Sequence, residues 1–307
     1  LRLIVLGAAA GGGFPQWNCN CPNCRRARAG DPQALPRTQS SLALSADGER
    51  WVLLNASPDL RQQIACNAPL HPRRDGRDSP IAGAVLTSSD IDHVAGLLTM
   101  RESQPFSLYA TERVHTALAA NSIFKALGVA VARRTLALDR AEALVDRDGA
   151  ALGLRITPFA VPGKVALYLE NPDAGADFGT QPGDTIGLEI DLGGAGRAYY
   201  IPACAEFPPA LARRLDGARL VFFDGTLWDD EEMVKAGLGK KSGRRMGHMS
   251  MAGAAGTIAA FSRLGVGRKI FVHINNTNPA LLGDSPERAA AEQAGWEIAH
   301  DGMEIAL

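Results

Sequence analysis

Leu86-Thr87-Ser88-Ser89-Asp90-Ile91-Asp92-His93-Val94-Ala95-Gly96-Leu97-Leu98 is the stretch from which the fold is read. The apolar run Ile81-Ala82-Gly83-Ala84-Val85-Leu86 that enters it has the length of a buried strand. Val94, Leu97 and Leu98 then recur at helical spacing. Ser88 to His93 therefore reads as a tight loop handing a strand over to a helix. Asp90, Asp92 and His93 crowd into that loop, where two carboxylates repel unless a cation sits among them. A plainer account makes the two acids loop-end and helix-capping residues and His93 incidental, since Asp is a good N-cap.

Upstream, Leu3 to Gly7 reads as a first strand entering the glycine loop Gly7-Ala8-Ala9-Ala10-Gly11-Gly12-Gly13. The same start resembles a secretory signal, and the strand is the preferred reading. The glycines lack G-x-G-x-x-G spacing, and Phe14-Pro15-Gln16-Trp17-Asn18 does not continue a helix, so the loop is expected near the cleft rather than as a dinucleotide cradle. Cys19-x-Cys21-x-x-Cys24 has the spacing of a tetrahedral Zn(II) clip in a reducing, cytoplasmic setting, with the fourth ligand open. The clip is expected to be closed to substrate and is a candidate brace for a homodimer contact. Cys66 and Cys204 stand alone and are expected to be buried. With 32 basic and 33 acidic residues in 307, the net charge of −1 favours neither a nucleic-acid nor a membrane-surface partner, and no apolar run is long enough to cross a bilayer.

Ser40–Leu44 and Trp51–Leu54 are expected to form a hairpin around Asp47-Gly48, followed by a helix from Leu60 to about Cys66 and a surface loop bearing His71. Thr111 should cap a helix running to about Leu127, with His115 on its surface. Strands are expected at 154–161, 185–191 and 197–201. Glu206, just past the last of these, is a candidate for the cleft. The strand Leu220-Val221-Phe222-Phe223-Asp224 ends in one acid, and Lys269-Ile270-Phe271-Val272-His273 ends in an imidazole. An acid at the end of a buried strand needs a partner, although Asp224-Gly225 would also suit a plain turn. Residues 228–247 are charged and glycine-rich, a solvated loop or a lid attracting a carboxylate-bearing substrate. A helix from Met251 to about Leu264, capped by Ser250, would place His248 at its positive end. Ser285 should cap a helix to about Ala294, and residues 297–307 should close as a strand pair around Asp301-Gly302.

The central loop resembles the metal-binding motif of the metallo-β-lactamase superfamily, His-x-His-x-Asp-His, written here as Ser88-x-Asp90-x-Asp92-His93. That loop, the cysteine clip behind Phe14-Pro15-Gln16-Trp17-Asn18, Asp224-Gly225-Thr226-Leu227-Trp228, Gly247-His248-Met249-Ser250 and His273-Ile274-Asn275-Asn276-Thr277-Asn278-Pro279 together resemble the B family of pyrroloquinoline quinone (PQQ) biosynthesis proteins. The resemblance spans the chain. It implies one α/β domain over residues 1–307, an αββα sandwich with a structural zinc, acting on a Glu–Tyr-derived precursor, with other proteins of that pathway as further partners. The superfamily's first metal site loses its histidines: Ser88 and Asp90 replace two, and no histidine lies near Lys164 where the third belongs. The resemblance implies that Asp92, His93, Asp224 and His273 keep the second site. Related phosphodiesterases with the same clip supply a histidine where Asn276 stands, which leaves the clip's fourth ligand in question. Two imidazoles with carboxylate and open positions suit Fe(II), although zinc or another divalent metal fits the same donors. The expected function is O₂-dependent hydroxylation of the precursor's tyrosine ring, with Asp90 and His248 as flanking catalytic groups. A metal-dependent hydrolase and a carrier for PQQ or its precursor are the alternatives.

Overall fold

The computed structural model describes residues 1–175 and 177–307. The strands in chain order are β1 (Arg2–Gly7), β2 (Ser41–Ser45), β3 (Trp51–Leu54), β4 (Ile81–Val85), β5 (Phe106–Thr111), β6 (Val131–Leu136), β7 (Glu142–Val145), β8 (Ala151–Ala160), β9 (Ile186–Asp191), β10 (Arg197–Ile201), β11 (Leu220–Asp224), β12 (Arg268–Val272), β13 (Trp296–Ile298) and β14 (Met303–Ala306). The described residues build two seven-stranded sheets, ordered β14-β1-β2-β3-β4-β5-β6 and β13-β12-β11-β10-β9-β8-β7. Each sheet is antiparallel at one side and parallel at the other, with β3 to β6 and β10 to β13 running parallel. Parallel strands are buried on both faces, which is why β4 and β11 read as unbroken apolar runs instead of alternating.

Three apolar clusters follow from this layering. Leu42, Val52 and Tyr109 of the first sheet meet Ile156, Leu188 and Phe222 of the second between the sheets. Leu53, Phe106 and Leu108 face Leu60, Val114 and Leu118 of the helices Leu60–Cys66 and Glu112–Ala120. Phe223 and Phe271 face Phe261, Trp296 and the cysteines on the far side. The result is the expected αββα sandwich. Ser88 bridges Thr185, and Ala9 bridges Ile274, so the sheets are stitched together where the carboxyl ends of β4 and β12 open into loops. In α/β sheets that edge is where ligands bind.

Local chemistry explains the elements that match expectation. Asp47 closes the β2–β3 hairpin by accepting Glu49 N and Arg50 N, each at 2.8 Å. Thr111 Oγ1 accepts Val114 N, and Ser285 Oγ accepts Arg288 N at 3.0 Å with Pro286 in the first turn.

Other expectations are corrected. The helix capped by Thr111 stops at Ala120 because Asn121 turns extended (φ −99°, ψ 103°), and Ser122–Ala130 continues as 3₁₀ turns kinked at Gly128. His115 is buried rather than on the surface, its Nε2 3.1 Å from Arg134 O. Cys66 is exposed, whereas Cys204 is buried. Only Thr257–Phe261 of the 251–264 stretch is helical, since Ser250 is committed to a bridge with Leu227 and Gly253 turns the chain at φ +89°. The closing strands do not pair with each other. β13 adds to β12 and β14 to β1, and Asp301 between them accepts Ala8 N, Thr38 N and Thr38 Oγ1. Residues 228–247 hold two single-turn helices, Glu232–Lys235 and Gly243–Met246, rather than a bare loop. No helix among the described residues is long and apolar enough to cross a membrane.

Candidate metal centre

Four strand ends supply the site. The loop after β4 carries Ser88, Asp90, Asp92 and His93; β11 ends in Asp224; His273 follows β12; and Cys204 follows β10. Gly96 seats the first loop: a Cβ there would meet Ser57 O at 2.1 Å, so only glycine lets the segment lie against Ala56 and Ser57. In return, Ala56 N donates to His93 O and Gly96 N to Ala56 O. His273 has φ +56°, a left-handed conformation that costs a side-chain-bearing residue about 1–3 kcal/mol and marks a site held by its surroundings.

Ligand atoms of Asp92, His93 and His273 lie within 4.8 Å of one another, and those of Asp224, His248 and His273 form a second such group. The expected quartet therefore divides, with His273 common to both halves. Asp224 is fully buried and has both oxygens occupied. Oδ1 accepts Thr226 N and Thr226 Oγ1, and Oδ2 accepts Cys204 N at 2.9 Å and lies 2.8 Å from His248 Nδ1. In that arrangement it orients His248 directly and His273 through Thr226, and it still belongs to a donor group that could hold an ion. The Asp90 carboxylate likewise does not cap the following helix; it accepts Ser88 Oγ at 2.8 Å, and Ser88 Oγ is 2.8 Å from His93 Nδ1. The two positions at which the superfamily motif carries histidines thus form a relay that orients the remaining one. Such outer partners fix the tautomer of a ligating histidine.

These residues pass a direct test of fitness for a metal ion. His93 Nε2 is buried with no hydrogen-bond partner among the described residues, an atom that an ion would satisfy. Burial holds the His93 imidazole below its ordinary pKa, in the neutral form a ligand needs. Burial opposes the charge of Asp92, but the neighbouring His93 and His273 outweigh it and keep the carboxyl well below the usual range. Burial likewise works against the His273 cation, and the Asp92 hydrogen bond with the Asp92 and Asp224 charges raises it above its ordinary value. His273 Nε2 stands 3.0 Å from Asp92 Oδ2. With bonds of about 2.1 Å, that gap suits two neighbouring ligands of one ion.

Thr226 is a functional residue that the sequence reading passed over. Its Oγ1 lies 2.8 Å from His273 Nδ1, 3.0 Å from His248 Nδ1 and 2.6 Å from Asp224 Oδ1. The hydroxyl donates to Asp224 and accepts from His273. The available signal was its place two residues beyond the strand-end acid. His248 stacks on His273, ring centroids 5.1 Å apart. Because the helix begins only at Thr257, Asp224 rather than a helix dipole sets the His248 imidazole.

The surrounding cavity has a volume of about 620 Å³. Ala10 and Gly11 of the glycine loop line it, as do Tyr168, Met233, Met246 and Lys241, so the 228–247 segment forms part of the cavity wall. Glu206 does not line it; it borders a separate depression with Phe207 and Arg244. Glu232 anchors the covering segment, accepting Trp228 N at 2.7 Å and the Thr277 hydroxyl, and burial pushes its carboxyl up to about 7.

The sulfurs of Cys19, Cys21 and Cys24 also fall within 4.8 Å of one another, the donor set of a soft-metal clip. Asn276 Nδ2 lies 3.3 Å from Cys24 Sγ, so a carboxamide faces the corner where a fourth ligand belongs. Asn23 Nδ2 donates to the carbonyls of Asn276, Thr277 and Asn278, which fastens the clip to the loop leaving His273.

Residues 50–274 match the β-lactamase superfamily domain. Coenzyme PQQ synthesis protein B of Gluconacetobacter diazotrophicus is 58% identical over 307 residues, covering 99% of each chain. The protein of that name from Xanthomonas oryzae pv. oryzae is 54% identical and covers all of both. A Zn(2+)-bound crystal structure of PqqB from Methylobacterium extorquens superposes with a TM-score of 0.93 at 48% identity, again over the full length of both chains. A diphosphatase of the PhnP family, 22% identical with a TM-score of 0.68, shares the fold. On these grounds the chain belongs to the coenzyme PQQ synthesis protein B family of the β-lactamase superfamily.

Proposed function

We propose that this protein serves PQQ synthesis as a mononuclear iron enzyme that hydroxylates the tyrosine-derived ring of a Glu–Tyr precursor with dioxygen. The observation that carries the reading is the use of Ser88 and Asp90. Both are committed to orienting His93, and in the second donor group Asp224 and His248 are hydrogen-bonded to each other, which supports one ion at Asp92, His93 and His273 rather than the pair a two-ion hydrolase holds. Asp92, His93 and His273 would hold the ion. Bound there, Fe(II) would supply dioxygen activation, the chemistry that two imidazoles, one carboxylate and open positions support.

The chain's own groups do the rest. Asp224 and Thr226 fix the Nδ1 sides of His248 and His273, leaving each Nε2 toward the cavity side of the ring. His248 then accepts a proton from the substrate phenol. Asp90 keeps His93 aligned through Ser88. Tyr168, Met233 and Met246 cover the cavity and limit water. The net reaction exchanges one ring C–H for C–OH. It consumes one O₂, two protons and two electrons from an external two-electron reductant, and releases one water.

The test reloads metal-free protein with Fe(II) or Zn(II) and supplies a tyrosine-containing dipeptide, reductant and ¹⁸O-labelled O₂. The expected product gains one labelled oxygen with iron alone. Equal turnover with zinc, or turnover without dioxygen, overturns the oxygenase and returns the site to hydrolysis.

A further inference from the structure

Charge in the cavity is divided between its walls. Asp90 and Asp92 enter from the loop after β4, while Lys164, Lys240 and Lys241 enter from the loop after β8 and the covering segment. Behind the lysines sits one carboxylate, Glu170, with 9% of its side chain exposed. It accepts Lys164 Nζ at 2.8 Å and both guanidinium nitrogens of Arg245, at 2.9 and 3.2 Å. Arg245 is fixed further by lying 3.5 Å from the Phe178 ring centroid. Glu170 is thereby used up. Lys241 Nζ stands off at 3.9 Å, and Lys240 has no carboxylate within ion-pair reach among the described residues. Lys240 therefore lines the cavity without a carboxylate partner among the described residues, and Lys241 with only a distant share of Glu170, beside an apolar wall that includes Leu167 and Tyr168. A substrate acid is repelled from the Asp90–Asp92 wall and attracted to the other.

From this we infer that Lys240 and Lys241 form a carboxylate-recognition subsite that takes the acid groups of an aromatic amino-acid substrate and turns its ring toward the metal ligands. The inference rests on the proposed precursor class but is independent of the reaction at the ion. Glu170 serves as a positioning residue: by holding Lys164 and Arg245 closely it fixes the covering segment, and it leaves Lys241 only loosely held and Lys240 to the cavity.

The experiment measures binding without turnover. Zinc-loaded protein is titrated calorimetrically, without oxygen, with the dipeptide Glu–Tyr and with the same dipeptide whose carboxylates are carboxamides. Wild type should prefer the acid form, with the preference shrinking as salt rises. Lys240→Gln and Lys241→Gln should each lower that preference by about 10-fold, and Lys→Arg at either position should retain most of it. Circular dichroism and metal content establish that the variants fold. A preference absent in wild type, or intact in the Lys240→Gln/Lys241→Gln double variant, overturns the subsite. If Fe(II) protein hydroxylates the dipeptide while the double variant keeps its preference, the subsite fails and the reaction stands. If the preference is lost in the variant and no metal gives hydroxylation, the reaction fails and the subsite stands.

Discussion

Thr226→Val removes one hydroxyl and keeps the side chain's shape, so its effect isolates what that oxygen does. The residue is buried, and its Oγ1 links Asp224 Oδ1 to His273 Nδ1 and lies beside His248 Nδ1. In the variant, Asp224 Oδ1 retains only Thr226 N, and His273 Nδ1 loses the acceptor 2.8 Å away. Leaving such buried partners unmatched costs about 1–3 kcal/mol of folding stability. The His273 ring, already on a left-handed backbone, also loses the contact that aims its Nε2, and loss of an outer partner of a ligand lowers metal affinity about 10–100-fold. Urea denaturation of the metal-free protein reads the first quantity. Competition with a chromophoric chelator for Zn(II) and Fe(II), with the cysteine clip already loaded, reads the second. Thr226→Ser keeps the hydroxyl and should stay within a few-fold of wild type. A valine variant that folds normally and binds metal as tightly as wild type would show that the hydroxyl does not position the site.

Asp92→Asn should abolish binding of the cavity ion while the cysteine clip keeps its own, so metal content falls by about one equivalent and the melting profile of the clip-bearing fold persists. Glu232 gives a pH signature. Its folded pKa of about 7 lies above the ordinary 4.5, so the native chain holds the proton across that interval. Its stabilising contribution is full below pH 4.5 and is lost as pH rises through 7. Glu232→Gln should flatten that part of the stability profile and gain on the order of 3 kcal/mol relative to wild type at pH 8, measured by urea titration at several pH values. Gly96→Ala drives a methyl into Ser57 O and should destabilise the fold by about 1–3 kcal/mol by thermal melt, with the metal loop displaced as it relaxes.

The two halves of the structure differed in how far they could be read from the chain. Buried parallel strands announce themselves as short apolar runs, and capping and turn chemistry is local, so β4, β11, β12 and the helix behind Ser285 were legible one segment at a time. Stretches whose conformation depends on distant partners were not. The 251–264 segment looks helical, but its first turns are taken by the bridge from Ser250 to Leu227. β13 and β14 look like a hairpin, but each has a better partner in a different sheet.

The sequence by itself determined which side chains stand at strand ends and that Ser88 and Asp90 occupy positions where the superfamily motif carries histidines, because motif spacing and residue type are properties of the chain. Only the tertiary structure decided that Asp224 spends both oxygens on hydrogen bonds, that Thr226 joins two imidazoles, and that Ser88 and Asp90 aim His93. A carboxylate or hydroxyl can serve an ion, a proton or a neighbour. Which one it serves is settled by the groups that separate segments bring within 3 Å of it, as Cys204 and His248 are brought to Asp224, a distance that spacing along the chain does not encode.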